Sequence, residues 1–130
     1  MKKLLNKKNN KGFSLVELIV VVLIMGIIAV ALAPQVMKWV GTARTNSDSN
    51  SAKDIKSAIQ IAVADAQNQG VAVPVTSTAV PYTASGIASL GSAFAGIVEG
   101  VTGADYTVKP NSSAHYLIEI NANGVVTVTY

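Results

Sequence analysis

From Phe13 to Ala33 the chain runs 21 residues with only Ser14, Glu17 and Gly26 breaking its apolar character. At 1.5 Å per residue a helix of this length reaches about 31 Å, enough to cross a bilayer core of about 30 Å. Residues 35–41 leave that run, and Lys38 and Trp39 suit a membrane interface. Thr42 to Ser51 is polar and rich in capping residues, so the helical pattern is weakest there. From Lys53 a helical period returns: Ile55, Ala58, Ile59, Ala62, Val63 and Ala66 follow i, i+3, i+4 spacing. Asp54, Lys56, Gln60 and Asp65 face away from that stripe, and Gly70 is a good C-terminal cap. Drawn continuously from Ser14 to Gln69, the helix would have 56 residues and span about 84 Å. That is far too long for a globular helix, and the pattern predicts a half-buried spine.

Residues 71–103 are rich in Ala, Gly, Ser, Thr and Val, with Pro74 and Pro81 marking an extended loop. Ile87, Leu90, Phe94, Ile97 and Val98 predict one short helix from about Gly86 to Glu99. The glycines here match no phosphate-binding motif, so the small residues imply tight packing on the spine. Tyr106–Lys109, Tyr116–Ile120 and Val125–Tyr130 read as three antiparallel strands, the last two joined by a turn at Asn121-Ala122-Asn123-Gly124. Tyr116, Ile118 and Ile120 alternate with Leu117 and Glu119, and one face of this sheet can cover the Ile55–Ala66 stripe.

Composition removes most alternatives. The 130 residues are 50% hydrophobic and 13% charged, against roughly 25% charged in soluble domains, which argues against a disordered tail. Without cysteine there is no disulfide, thiolate nucleophile or zinc–thiolate site. The single histidine, His115, reads as a surface or turn residue. The net charge of +3 is unevenly placed: Lys2, Lys3, Lys7, Lys8 and Lys11 precede any acid. The remainder sets five bases against seven acids, a balance of −2, so a folded nucleic-acid-binding face loses its support. Lysines on one flank of the apolar run orient its N-terminus to the cytoplasm.

Three readings of the N-terminal segment compete. A secretory signal peptide would be cut at Ala31-Leu32-Ala33, but Pro34 would then follow the cut and Glu17 sits within the apolar run. A plain single-pass anchor explains Glu17 through an S-x-x-E capping box with Ser14, and leaves Gly12 and Phe13 unexplained. The whole string Lys11-Gly12-Phe13-Ser14-Leu15-Val16-Glu17-Leu18, with its basic leader, following apolar run, Gly26 and Pro34, resembles the class III signal of type IV prepilins and pseudopilins. The resemblance is close over residues 7 to 40 and architectural beyond them.

That resemblance implies an α+β, pilin-like fold, a long N-terminal helical spine packed on a small C-terminal antiparallel sheet. It divides the chain into a leader (1–12), a membrane and assembly half of the spine (13–34), an amphipathic half (35–69) and a C-terminal domain (70–130). It further implies cleavage after Gly12 and N-methylation of the new terminus at Phe13 by prepilin peptidase. Glycine before the scissile bond admits close backbone approach. Glu17 would then meet the Phe13 ammonium of a neighbouring copy; opposite charges 4 Å apart attract by about 4 kcal/mol at an effective dielectric near 20. Gly26 and Pro34 would let the helix bend, with local melting when subunits pack.

Partners implied are other copies of the chain, the peptidase, an assembly ATPase, a platform membrane protein and the cytoplasmic membrane, with the assembled filament outside the cell. The role is structural, with no catalytic residues and no cofactor or metal; a calcium cluster of Glu99, Asp105 and Asn111 lacks recognisable loop spacing. The chain lacks the G-x-Y-P-T-like segment of the major type II secretion pseudopilin, which favours a pilus subunit. A secretion or competence pseudopilin stays open as the alternative, and a membrane-anchored binding domain stands behind both.

Overall fold

A computed structural model describes residues 12–106, 110 and 115–130. In chain order the elements are α1 (Leu15–Asn68), β1 (Val80–Pro81), α2 (Ala84–Ala88), α3 (Ser92–Thr102), β2 (Leu117–Ile120) and β3 (Val126–Thr129). The chain is α+β, and divides into two compact units, one ending at Val40 and one running from Gly41 to Tyr130.

In the first unit every residue from Gly12 to Val40 is exposed, including Leu15, Val22, Leu23, Ile27 and Val30. This stretch of α1 is long and apolar enough to cross a membrane, and none of its apolar window is buried by the protein itself. Helix continues without a break through Gly26 and Pro34. Proline removes a backbone donor there, and the surrounding Leu, Ile, Val and Ala still hold the helical path.

In the second unit the stripe of α1 organises the core. Ala52, Ile55, Ile59, Ala62, Val63 and Ala66 are buried, Ala58 is half-buried, and Asp54, Lys56, Gln60 and Asp65 lie exposed. The polar stretch Thr42–Ser51 is helical, so the spine runs unbroken as drawn from the sequence. Burial overrides propensity at its far end: Asp48 is only 3% exposed, one turn before Ala52, and the Tyr116 hydroxyl donates to its carbonyl at 3.4 Å. At the C-terminus of α1, Val71 N–H donates to Ala66 O (2.8 Å) and Gly70 N–H to Gln67 O (3.3 Å). Those two bonds, with Gly70 at φ 71°, are a Schellman closure in which glycine tolerates the left-handed conformation.

The sheet has order β1-β2-β3, antiparallel throughout. Ile118 faces Val128 on one side and Val80 on the other, and Ile120 faces Val126. Tyr116, Ile118, Ile120 and Val126 are buried with Ile59, Ile87, Phe94 and Val98 in one cluster, whereas Leu117, Glu119, Thr127 and Thr129 point outward. The β2–β3 turn is held by Asn121, whose side-chain oxygen accepts from Asn123 N–H and Val125 N–H at 3.0 and 2.9 Å.

Two expectations need correction. The first strand is β1, within the proline-marked loop; Pro81 fits there because an edge strand tolerates a missing N–H. Tyr106 lies outside any strand, and 107–109 fall outside the described residues. Gly86 to Glu99 is two helices, since Gly91 at φ 107° leaves the helical region between them.

Beside α3, the Tyr82 and Tyr106 rings meet edge to face, centroids 5.1 Å apart, and the Tyr82 hydroxyl donates to Asp105 O at 3.1 Å. Burial pushes both phenols above their ordinary 10.0. At Tyr82 the Thr102 hydroxyl opposes this, and Tyr106 and then Asp105 add to it; at Tyr106 Glu99 adds to it and Thr102 opposes it.

Two predictions follow from this packing. A Cβ at buried Gly86 would overlap the Pro81 carbonyl oxygen, whereas one at Gly96 meets nothing within 4 Å. In urea unfolding, Gly86→Ala is expected to cost about 1–3 kcal/mol, and Gly96→Ala, on an exposed helical face, to add about 0.5–1 kcal/mol; equal stability of the two variants would contradict the packing. Raised phenol pKa values mean that the folded state holds those protons longer than the unfolded state. Their stabilisation is therefore complete below pH 10.0 and lost as pH rises through the higher folded values. An ultraviolet titration of the folded chain should show part of the tyrosine absorbance titrating late, and Tyr106→Phe should reduce that late fraction.

Candidate functional site

Leu15 opens α1, so Gly12, Phe13 and Ser14 form a short non-helical stretch, all three exposed. The Gly12–Phe13 peptide thus lies on open backbone, the form a peptidase can bind. No atom stands within 4 Å of where a Gly12 side chain would begin, so glycine is not required there by the fold.

Ser14 and Glu17 form the reciprocal box that their spacing predicts. The Ser14 hydroxyl accepts from Glu17 N–H at 3.2 Å, and Glu17 Oε2 accepts from Ser14 N–H at 2.8 Å. Leu18 N–H donates to Ser14 O at 3.3 Å, which begins the helical ladder. Two otherwise orphaned donors are satisfied, and a negative charge stands at the positive end of α1. Around Glu17 lie Phe13, Val16, Leu18, Val20 and Val21. It is the sole acid between Phe13 and Ala33.

The box engages only one carboxylate oxygen. Glu17 Oε1 accepts no hydrogen bond among the described residues. A carboxylate offers about four lone-pair sites. Glu17 can therefore hold its own helix cap and still receive a cation from outside. Phe13, 84% exposed, supplies such a cation once the bond before it is cut, because its amide nitrogen becomes an α-amine. The expected assembly residues are thus gathered at one end of α1, while Gly26 and Pro34 lie within the unbroken helix.

The residues set aside for other chemistry fall elsewhere. His115 is half-buried at a bend just before β2. Glu99 and Asp105 are exposed near the end of α3, and Asn111 lies outside the described residues. Among the described residues no group of three His, Asp or Glu side chains is placed to hold a metal ion. Sequence reasoning missed buried Asp48; extending the Ala52–Ala66 stripe back by four residues reaches its position, but its charge argued against burial. It also missed the Tyr82–Tyr106 pair, which no sequence spacing announces.

Residues 7–33 match the prokaryotic N-terminal methylation motif. Comparison with curated proteins and with solved structures yields no match. The matched span contains the Gly12–Phe13 junction, the Ser14–Glu17 box and the apolar helix through Ala33. This motif is the class III signal peptide of type IV pilins, and over this segment it supports likeness to the precursor of a type IV pilin or pseudopilin.

Proposed function

We propose that the chain is a structural subunit of a type IV pilus, stored in the cytoplasmic membrane, cut after Gly12, N-methylated at Phe13 and polymerised through α1. A prepilin peptidase would remove the basic leader and methylate the new amine, and an assembly ATPase acting through a platform membrane protein would drive extraction. The observation that carries this reading is Glu17, an acid on an exposed apolar helix with one carboxylate oxygen that accepts no hydrogen bond among the described residues. In hydrocarbon such a charge costs roughly 2.5–3.5 kcal/mol on insertion scales. A neighbour's Phe13 ammonium offsets that cost only when copies stand side by side, so pairing favours the polymer.

Pro34 and Gly26 fit the same scheme. Proline costs about 3 kcal/mol inside a helix and glycine about 1 relative to alanine, so residues 26–34 would be the first part of α1 to loosen as copies pack. The second unit would form the filament surface, and no step of this scheme asks it for catalysis. A pilus subunit is preferred over a pseudopilin because the G-x-Y-P-T-like segment is missing after α1.

Intact mass and N-terminal sequencing of the protein from cells test the processing. The expected product begins at N-methyl-Phe13; a start at Pro34 would mark a secreted protein, and an intact leader a plain anchor. Glu17→Gln keeps the side-chain shape and loses the charge. It is expected to be cut and methylated normally while sheared surface fractions, viewed by electron microscopy, contain no filaments. Normal filaments from this variant would refute the role given to Glu17.

A further inference from the structure

The sequence holds a single Asn-Gly step, Asn123-Gly124, at the tip of the β2–β3 turn. An asparagine before glycine carries its own reagent. The backbone nitrogen of the following residue can close a five-membered ring on the side-chain amide carbon, and glycine has no side chain to obstruct that approach. Asn123 is exposed, so water reaches it. The fold also demands this glycine, because Gly124 sits at φ 75°, where other residues are strained. Turn geometry and chemical lability therefore coincide at one peptide bond.

Hydrogen bonds around Asn121 act as a latch on that bond. Gly124 N–H donates to Asn121 O at 2.9 Å, and Asn121 N–H donates to Val125 O at 3.1 Å. The Asn121 side-chain oxygen accepts from Asn123 N–H at 3.0 Å and from Val125 N–H at 2.9 Å. Gly124 also rests against the spine, where an added Cβ would meet Val63 Cγ1 at 3.3 Å and Gln67 Nε2 at 3.5 Å. Ring closure has to swing the Gly124 nitrogen out of its bond to Asn121 and onto the Asn123 side chain. While the turn is closed, the nucleophile is committed elsewhere.

We propose that Asn123 is a self-modification site gated by the Asn121 turn. When the turn opens, the Gly124 nitrogen attacks Asn123 Cγ. An N–Cγ bond forms, the Cγ–Nδ2 bond breaks, and ammonia leaves with the proton given up by Gly124. Solvent water then adds to either carbonyl of the cyclic imide and opens it to aspartate or isoaspartate, with no change of oxidation state. In the isoaspartate product the backbone runs through the side chain and is one carbon longer between 123 and 124. Val126 pairs with Ile120 across this turn, so the extra atom works against the β2–β3 register that closes a domain without cysteine. Asn121 is thus a protecting residue, and its failure is irreversible.

Peptide mapping of the full chain in detergent at mildly alkaline pH, beside the same chain in urea, follows the amide-to-acid mass change at Asn123. The folded chain should convert at least about tenfold more slowly than the unfolded one. Asn121→Ala should bring the folded rate most of the way to the unfolded rate. Asn121→Asp keeps an oxygen for both N–H groups and should stay slow. Gly86→Ala weakens the domain away from the turn and should leave the rate within about twofold of the unaltered chain. Equal rates in folded and unfolded chains would overturn the gating. Acceleration by Gly86→Ala as large as that by Asn121→Ala would overturn it too, because global unfolding would then be the route. Chain aged to isoaspartate should exchange its 126–129 amides faster than fresh chain, and unchanged protection there would overturn the effect on the sheet.

Discussion

A carboxylate on an apolar, membrane-length helix must have partners, and the N-terminal half of this protein is arranged around that requirement. Glu17 meets part of it alone. One oxygen takes the Ser14 N–H, and the Ser14 hydroxyl returns the bond to Glu17 N–H. The start of α1 is thereby fixed at Leu15, which leaves the Gly12–Phe13 bond on non-helical, exposed backbone. The second oxygen accepts no hydrogen bond among the described residues, and in the proposed filament it is where another copy's charge would dock. Capping and assembly therefore need not compete for one atom.

The second unit solves a different problem, which is to hold a small domain on one helix face without a covalent staple. Alanines at 52, 62 and 66 keep that face low, so the buried side chains of β2, β3, α2 and α3 gather in one cluster against it. Large side chains fully buried there, among them Tyr116, Phe94, Ile59 and Ile118, each contribute on the order of 1.5–3 kcal/mol by leaving water. Closure at the C-terminus comes from pairing of β2 with β3 and from the Asn121 turn, in a chain that has no cysteine to do it. Thr76 extends the β1 side of the sheet by donating its N–H to Ile120 O and accepting Ile120 N–H on its hydroxyl.

Much of this was legible from residue order, for reasons that differ by element. The Ile55–Ala66 stripe and the alternation in Tyr116–Ile120 could be read because one face of each element is buried and the other wet. The Ser14–Glu17 box is a local bond pattern set by three-residue spacing, so it needs no tertiary information. What was missed depended on distant partners. β1 is only two residues long and contains a proline, so nothing local marks it apart from its pairing with Leu117 and Ile118. The hydrophobic period of residues 87–98 suits one helix, but the positive φ of Gly91 divides it. The continuous spine drawn through Thr42–Ser51 does hold there despite weak propensity, secured where Asp48 and Ala52 enter the core.

The central claim is that Glu17 exchanges solitude in the membrane for a neighbour's terminal amine. The most direct test is a near-atomic cryo-electron microscopy map of the surface filament, read at the distance from each Glu17 carboxylate to the nearest Phe13 nitrogen of another copy. The account predicts a contact of about 4 Å or less, with the chain beginning at Phe13. A filament in which every Glu17 touches only its own Ser14, with neighbouring Phe13 nitrogens well beyond reach, would contradict it.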